Sequence, residues 1–421
     1  MIKVSYGIVL TGLLFAQSIV AQQAEQKFTV FRSYKEMHEA KDVAPVVPEA
    51  LTTAPGGHFF GYYDKFETDP SGRYVLAQQI SFEHRLPKAG ESVKIGMVDT
   101  QDNNKWIELG VSRAWSWQQG CMLQWRPGSA TEIVWNDLEK DAFVCRIYDI
   151  KTQKMRTLPR AIGHVSSDGK TAVCEDFSRI WDCRAGYGYP GVPDKLAAQP
   201  APAEEGVWKM DLDTGAVKLI FSFADAVKVT YENQKPTDKH YINHLQWSPD
   251  NKRFLFFDRW LTGPGMPTRV FTLGADGKDL RLLSKMGASH YIWRDNESVL
   301  IWGLEENGYT IYKDDNDGKA DGVLWKAPNG HQLFIPGTDN QWLVADSYAR
   351  ELYLYHVPTA RFVFLGRYPQ DKAYKGEWRC DLHPRVSRDG KAIFFDSPHA
   401  GKMRQIYRIK MGHVIASTPA E

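Results

Sequence analysis

The chain has 421 residues, with 52 Lys and Arg against 51 Asp and Glu, for a formal net charge of +1. So even a balance gives no bulk attraction to nucleic acid or to an anionic membrane surface. Aromatic content is high, with 14 Trp, 19 Tyr and 20 Phe, which suits β-strands and sugar-stacking surfaces alike.

The chain opens on Lys3, an apolar stretch from Val4 to Ala16, and small residues up to Ala21. Basic, apolar and small-residue regions in that order predict a secretory signal peptide over residues 1–21, too short for a membrane span. No cysteine lies near the cleavage region, and no later stretch is long and apolar enough to cross a bilayer. The mature protein is therefore expected to be periplasmic or secreted, without membrane attachment, and monomeric. Cys121, Cys145, Cys174, Cys183 and Cys380 are odd in number and lack a CxxC pair. They read as buried thiols, with room for one disulfide but no disulfide framework.

A repeat then runs along the chain. It is clearest from His244 to Asp258, where a strand, a tight Ser-Pro-Asp-Asn turn and a second strand follow one another. Six further copies align on the turn, opening at Thr68, Trp125, Val165, Trp293, Phe334 and Val386. A second alternating hairpin follows the first six copies, as in Val93 to Leu109 and Arg269 to Leu283; after the seventh only Gln405 to Met411 reads as a strand. Seven units of four short strands, spaced by roughly 40 to 50 residues, predict one all-β domain over residues 22–421. That domain is a seven-bladed β-propeller of four-stranded antiparallel blades. Two adjacent sandwiches are the alternative, but they do not explain the even recurrence of the turn. The last blade is one strand short, and the segment from Phe28 to Arg32 is expected to supply it and close the ring.

Two places break the spacing: residues 176–205 and residues 224–240. With residues 81–92 they belong to the loop classes that emerge on one face of a propeller, where long loops build a site. The opposite face receives only the tight turns.

The innermost strand of each blade precedes its turn and lines the channel. Three residues before the turn-opening position stand Lys65, Met122, Ile162, His244, His290, His331 and His383. Four of the twelve histidines thus share one register on consecutive blades, which favours a shared polar or metal site over four separate structural histidines. Imidazoles with a carboxylate suit a divalent transition ion such as Mn, Zn, Ni or Fe. Asp381, two residues before His383, points the same way on its strand and is a candidate ligand. His58, Tyr62, Tyr63, Asp64 and Lys65 lie at the channel mouth of the first blade, and Trp117 and Gln119 near that of the second. Arg85, Arg179, Arg184, Arg259 and Arg379 fall in or beside loops of the same face. Aromatic platforms with arginine forks are what an acidic sugar needs. The acidic run from Asp314 to Asp321 is out of phase with an EF-hand and reads as a solvated turn. No GxSxG, HExxH or phosphate loop is present.

On these motifs the chain resembles the oligogalacturonate lyase group, seven-bladed propellers related to TolB-type repeats. His58 with Tyr62, Tyr63 and Lys65 is similar to the group's N-terminal histidine followed by aromatics and lysine. Asn243-His244 resembles its fourth-blade histidine near the catalytic centre, and Ser289-His290 its metal-binding histidine. Gly330-His331 and His383-Pro384 match the next two blades, the latter also a metal ligand in the group. Where the group has a Gln-x-x-His-Pro-His run, this chain has Trp378, Asp381, Leu382 and His383.

The resemblance implies a lyase that cleaves uronic-acid glycans by metal-assisted β-elimination, with an acidic oligosaccharide or polysaccharide as substrate. The implied cofactor is a divalent ion, manganese first. It would be held by His290, His383 and Asp381, with His331 a further ligand. His244, or Arg179 or Arg184 from the insertion, would be the base and Tyr63 the acid. His58, Tyr62, Lys65, Trp117, Gln119, Arg259 and Arg379 would bind substrate. A glycoside hydrolase or sugar dehydratase is the alternative; a hydrolase expects two pocket carboxylates, for which Asp64 and Asp381 are the visible pair. A non-catalytic propeller binding glycan or protein is the third reading.

Overall fold

The computed structural model describes residues 28–261, 266–315, 318–412 and 414–415, so the predicted signal peptide over 1–21 lies outside the described residues. The strands pair into seven antiparallel sheets, six of four strands and one of five. Each sheet is one blade, and the predicted propeller is the fold. In chain order the blades span residues 57–112, 124–158, 164–222, 239–284, 288–325, 332–367 and 385–410. They are called I to VII below.

The repeated turn forms because its side chains satisfy its own backbone. Ser248 Oγ accepts from Arg253 N at 3.1 Å and donates to Asp250 at 2.8 Å; Ser166 with Asp168 and Ser387 with Asp389 repeat this. The turn also needs one left-handed residue, with φ of 73° at Gly72, 70° at Gly169, 59° at Asn251 and 71° at Gly390. Glycine and asparagine stand there because other side chains enter that region with strain. Apolar residues from adjacent blades then fill the seams, as where Val134, Cys145 and Ile147 meet Val165, Ala172 and Cys174.

Ring closure departs from the expectation. The segment Thr29–Phe31 pairs with Arg361–Arg367 and becomes a fifth strand of blade VI. The missing outer strand of blade VII is Glu49–Ala50, which pairs with Gln405–Lys410. Between them the helix Tyr34–Glu39 is anchored by Tyr34 and His38, both bonded to the buried Glu351 carboxylate. The N-terminal segment does close the ring, but some twenty residues later than periodicity suggested.

The insertion after blade III's second strand begins with the helix Phe177–Cys183, capped by Asp176, whose side chain accepts from Ser178 N and Arg179 N. All five cysteines are free, so the disulfide that composition allowed is not formed.

Candidate functional site

The four register histidines converge. His290 and His331 ring centres lie 4.0 Å apart, His331 and His383 4.3 Å, and His244 and His290 6.3 Å. Local geometry explains the convergence. In blade IV the inner-strand pairing slips between Asn243 and Gln246, and in blade V between Ser289 and Tyr291. The extra residue at each slip is a histidine in a left-handed conformation, φ 64° at His244 and 29° at His290; His383 has 43°. A bulge turns its side chain away from the strand's ordinary alternation. Such conformations are costly for a residue with a Cβ and cluster at functional sites.

Tyr62 and Tyr63 of blade I fill the centre. Tyr62 lies 4.3 Å from the His244 ring and 5.3 Å from that of His383, and Tyr63 lies 5.0 Å from that of His331. Tyr62 Oη is 3.3 Å from His244 Nδ1. Tyr63 Oη is locked at both ends, donating to the Tyr291 carbonyl at 2.8 Å and accepting from Tyr291 N at 3.2 Å. Its proton is committed, so the geometry does not present Tyr63 as an acid for a substrate oxygen.

Ligand atoms of His331, Asp381 and His383 all lie within 4.8 Å of one another, a group able to hold a metal ion. His290 stands beside this triad, against His331, rather than inside it. Burial holds His244, His290 and His383 well below the ordinary histidine pKa, with the His331 ring adding to the effect. These imidazoles are therefore neutral and can offer lone pairs. Burial raises the Asp381 pKa, but Arg379 and Arg350 outweigh it and hold the carboxyl ionised. His244 Nε2 and His383 Nε2 are buried with no hydrogen-bond partner. Orphaned buried nitrogens beside a carboxylate fit a cation that takes nitrogen and oxygen donors. Sequence reasoning missed the two arginines' hold on Asp381, at 2.5 Å from Arg350 Nη1 and 2.7 Å from Arg379 Nε.

Arg259 of blade IV is 7% exposed and donates from Nε to Thr268 Oγ1 at 3.1 Å. It has no ion pair among the described residues. Burial lowers its pKa, nearby Arg184 adds to the lowering, and Arg259 in turn lowers that of His244. A buried guanidinium near the histidines with no carboxylate partner is chemically able to receive an anion. Arg184 stacks 3.8 Å over Tyr187, and Arg379 bonds the Tyr187 hydroxyl at 3.0 Å. The insertion therefore reaches across to the loop before blade VII. There Gln118 of the second-blade loop also donates to the Glu377 and Arg379 carbonyls.

Other predicted residues are placed elsewhere. Arg179 is fully buried, and its guanidinium holds the insertion through Asp194 and the His240, Leu196, Gln199 and Pro200 carbonyls. His58 uses both nitrogens, on Gln405 and Gln79. Trp117 packs with Phe59, Phe82 and Trp115 and donates to the Arg85 carbonyl. Gln119 is buried, its Oε1 without a partner. Lys65 occupies the histidine register but pairs with Asp64 at 2.6 Å. Asp64 lines a cavity of about 190 Å³ among the tight turns, with His164, Gln124 and Gln246, and so is not paired with Asp381.

No protein-family model matches the chain, and no curated protein matches it. Among solved structures it is similar to an oligogalacturonate lyase from Vibrio parahaemolyticus: TM-score 0.63, 13% identity, 91% of this chain and 96% of that one covered. It is equally similar to an oligogalacturonate lyase in complex with manganese: TM-score 0.63, 14% identity, 93% and 98% covered. At that identity the likeness establishes the propeller fold over nearly the whole of both chains.

Proposed function

We propose that the protein is a metal-dependent lyase that cleaves uronic-acid-containing oligosaccharides or polysaccharides by β-elimination. The observation that carries this is the pairing of two features in one site. One is a cluster of buried imidazoles with an ionised carboxylate; the other is a buried guanidinium, Arg259, with no carboxylate partner among the described residues. The proton α to a uronate carboxylate is weakly acidic, so elimination depends on neutralising that carboxylate as charge develops on it. The manganese complex of the similar structure supports manganese as the first ion to try.

His331, His383 and Asp381 would hold the ion, with His290 beside them, and the ion would supply positive charge to the substrate carboxylate. Arg259 receives the same carboxylate from the blade IV side. His244 is the base in the tautomer whose Nδ1–H donates to Tyr62 Oη, leaving a lone pair on Nε2. It takes the proton α to the carboxylate; a double bond forms between the α and β carbons, and the β carbon–oxygen bond breaks. Burial and Arg259 make the resulting imidazolium a strong acid, so His244 returns the proton to the leaving oxygen. One residue then serves as base and acid, and Tyr63 is not required. A hydrolase would need two carboxylates facing across the sugar, and Asp64 with Asp381 do not form that pair. The predicted leader is the ground for placing the enzyme in the periplasm or outside the cell.

The test is ultraviolet absorbance on a panel of uronate oligosaccharides, with and without a chelator, after elemental analysis of the purified protein. The reading expects a bound transition ion and an unsaturated-uronate band that the chelator abolishes. Metal with new reducing ends but no such band would move the protein to hydrolysis. No metal and no turnover would leave a binding propeller.

A further inference from the structure

Asp346, at the end of the second strand of blade VI, is almost wholly buried and has no lysine or arginine partner among the described residues. Its donors all come from two of the clustered histidines. Oδ1 accepts from His331 N at 2.6 Å, Oδ1 and Oδ2 lie 3.0 and 3.1 Å from His331 Nδ1, and Oδ2 accepts from His383 N at 3.2 Å. The corresponding second-strand aspartates of blades IV and VII differ. Asp258 is paired with Arg269 and Asp396 with Arg385. The approach of Asp346 also depends on Gly330, where an added Cβ would collide with the Asp346 carbonyl oxygen and meet its Oδ1 at 2.8 Å. One residue earlier, Asn329 Oδ1 lies 2.8 Å from His290 Nδ1.

A carboxylate and an amide oxygen can only accept, so Nδ1 of His331 and of His290 must carry the proton. Both rings are thereby fixed in the tautomer that keeps Nε2 as the lone pair. Partners of this kind orient an imidazole and raise its basicity as a ligand. We propose that Asp346 is a positioning residue of the metal centre, with Asn329 in the same role for His290. Asp346 aims His331 Nε2, strengthens it as a donor, and sets the spacing between His331 of blade VI and His383 of blade VII. This rests on the reading of the cluster as a metal site.

The full mature chain is stripped of metal and titrated with Mn²⁺ against a chromophoric chelator, and Co²⁺ is added separately to record its ligand-field bands. The Asp346→Asn variant keeps the size and one acceptor oxygen. It is expected to bind Mn²⁺ about 10- to 100-fold more weakly and to shift the Co²⁺ bands. A purely structural aspartate would lower the melting temperature of the metal-free protein without moving either readout, and that result overturns the proposal. If wild type takes up no Mn²⁺ or Co²⁺, the metal reading itself fails. Should Asp346→Asn not fold, Asn329→Asp gives the opposite sign. A carboxylate on His290 Nδ1 is expected to tighten Mn²⁺ binding several-fold, and unchanged or weaker binding overturns the orienting role.

Discussion

Arg259 donates to the Thr268 hydroxyl and lies 4.6 Å over the Phe257 ring, yet it is buried beside Arg184 and His244 with no carboxylate partner among the described residues. In the proposed lyase such a group is held for the substrate carboxylate, because a buried cation otherwise lowers stability. Arg259→Gln should therefore leave the fold intact or slightly more stable, while kcat/KM falls about 100-fold or more through loss of transition-state charge stabilisation. A melting curve and steady-state kinetics on a uronate substrate check both halves; a variant that loses stability but keeps kcat/KM would make Arg259 structural. Glu175 gives a second test at this scale. Burial raises its pKa to about 8, and neither carboxylate oxygen has a hydrogen-bond partner. With the folded pKa raised, its contribution to stability is full below the unfolded value near 4.5 and is lost as pH climbs through 8. Glu175→Gln should accordingly gain on wild type between those limits. Melting temperatures at pH 5 and pH 8 read the difference, and an equal offset at both would refute the assignment.

At the scale of elements, the turn motif and the histidine register were legible because both are local. A Ser-x-Asp-Gly turn satisfies its own backbone, and a bulge residue repeats at a fixed distance before it. What an arginine side chain faces is not local, whether it stands on the insertion's helix or on a blade strand. Arg179 and Arg259 looked alike in sequence, yet Arg179 bonds four carbonyls and Asp194 whereas Arg259 has no acidic partner among the described residues. Asp346 did leave a trace in the sequence: the second strand carries an aspartate in its C-terminal half in blades IV, VI and VII, at Asp258, Asp346 and Asp396. Arg179→Met tests the insertion as a unit. It removes those five bonds while keeping an unbranched apolar stem, so the loop carrying Arg184 and Tyr187 should loosen. Limited proteolysis should then cut within residues 184–205, and KM should rise several-fold with bound metal unchanged. A rise in KM without new cleavage would instead place Arg179 against substrate.

For the whole molecule, the decisive seam is where the chain's two ends meet. Periodicity showed that blade VII lacked a strand, but strand propensity could not choose between Thr29–Phe31 and Glu49–Ala50, and the more apolar segment went to blade VI. Two residues of pairing do not hold a ring shut. The seam is fastened instead by Arg385, fully buried, which bonds Glu67 of blade I through Nε and Nη2 at 3.0 Å each and Asp396 of its own blade at 2.8 Å. Asp396 in turn accepts from Phe60 N at 3.2 Å, and Arg404 pairs with Glu83 across the same seam. Removing one member of a buried ion cluster leaves charges uncompensated, at about 3–5 kcal/mol. Arg385→Ala strands two carboxylates and should lower stability by that order, with the first loss of hydrogen-exchange protection in blades I and VII. Arg385→Lys keeps the charge but cannot reproduce the two-nitrogen bond to Glu67, so it should fall between. If exchange in Arg385→Ala rises evenly over all seven blades, the ring unfolds as one unit and the closure is no weaker than any other seam.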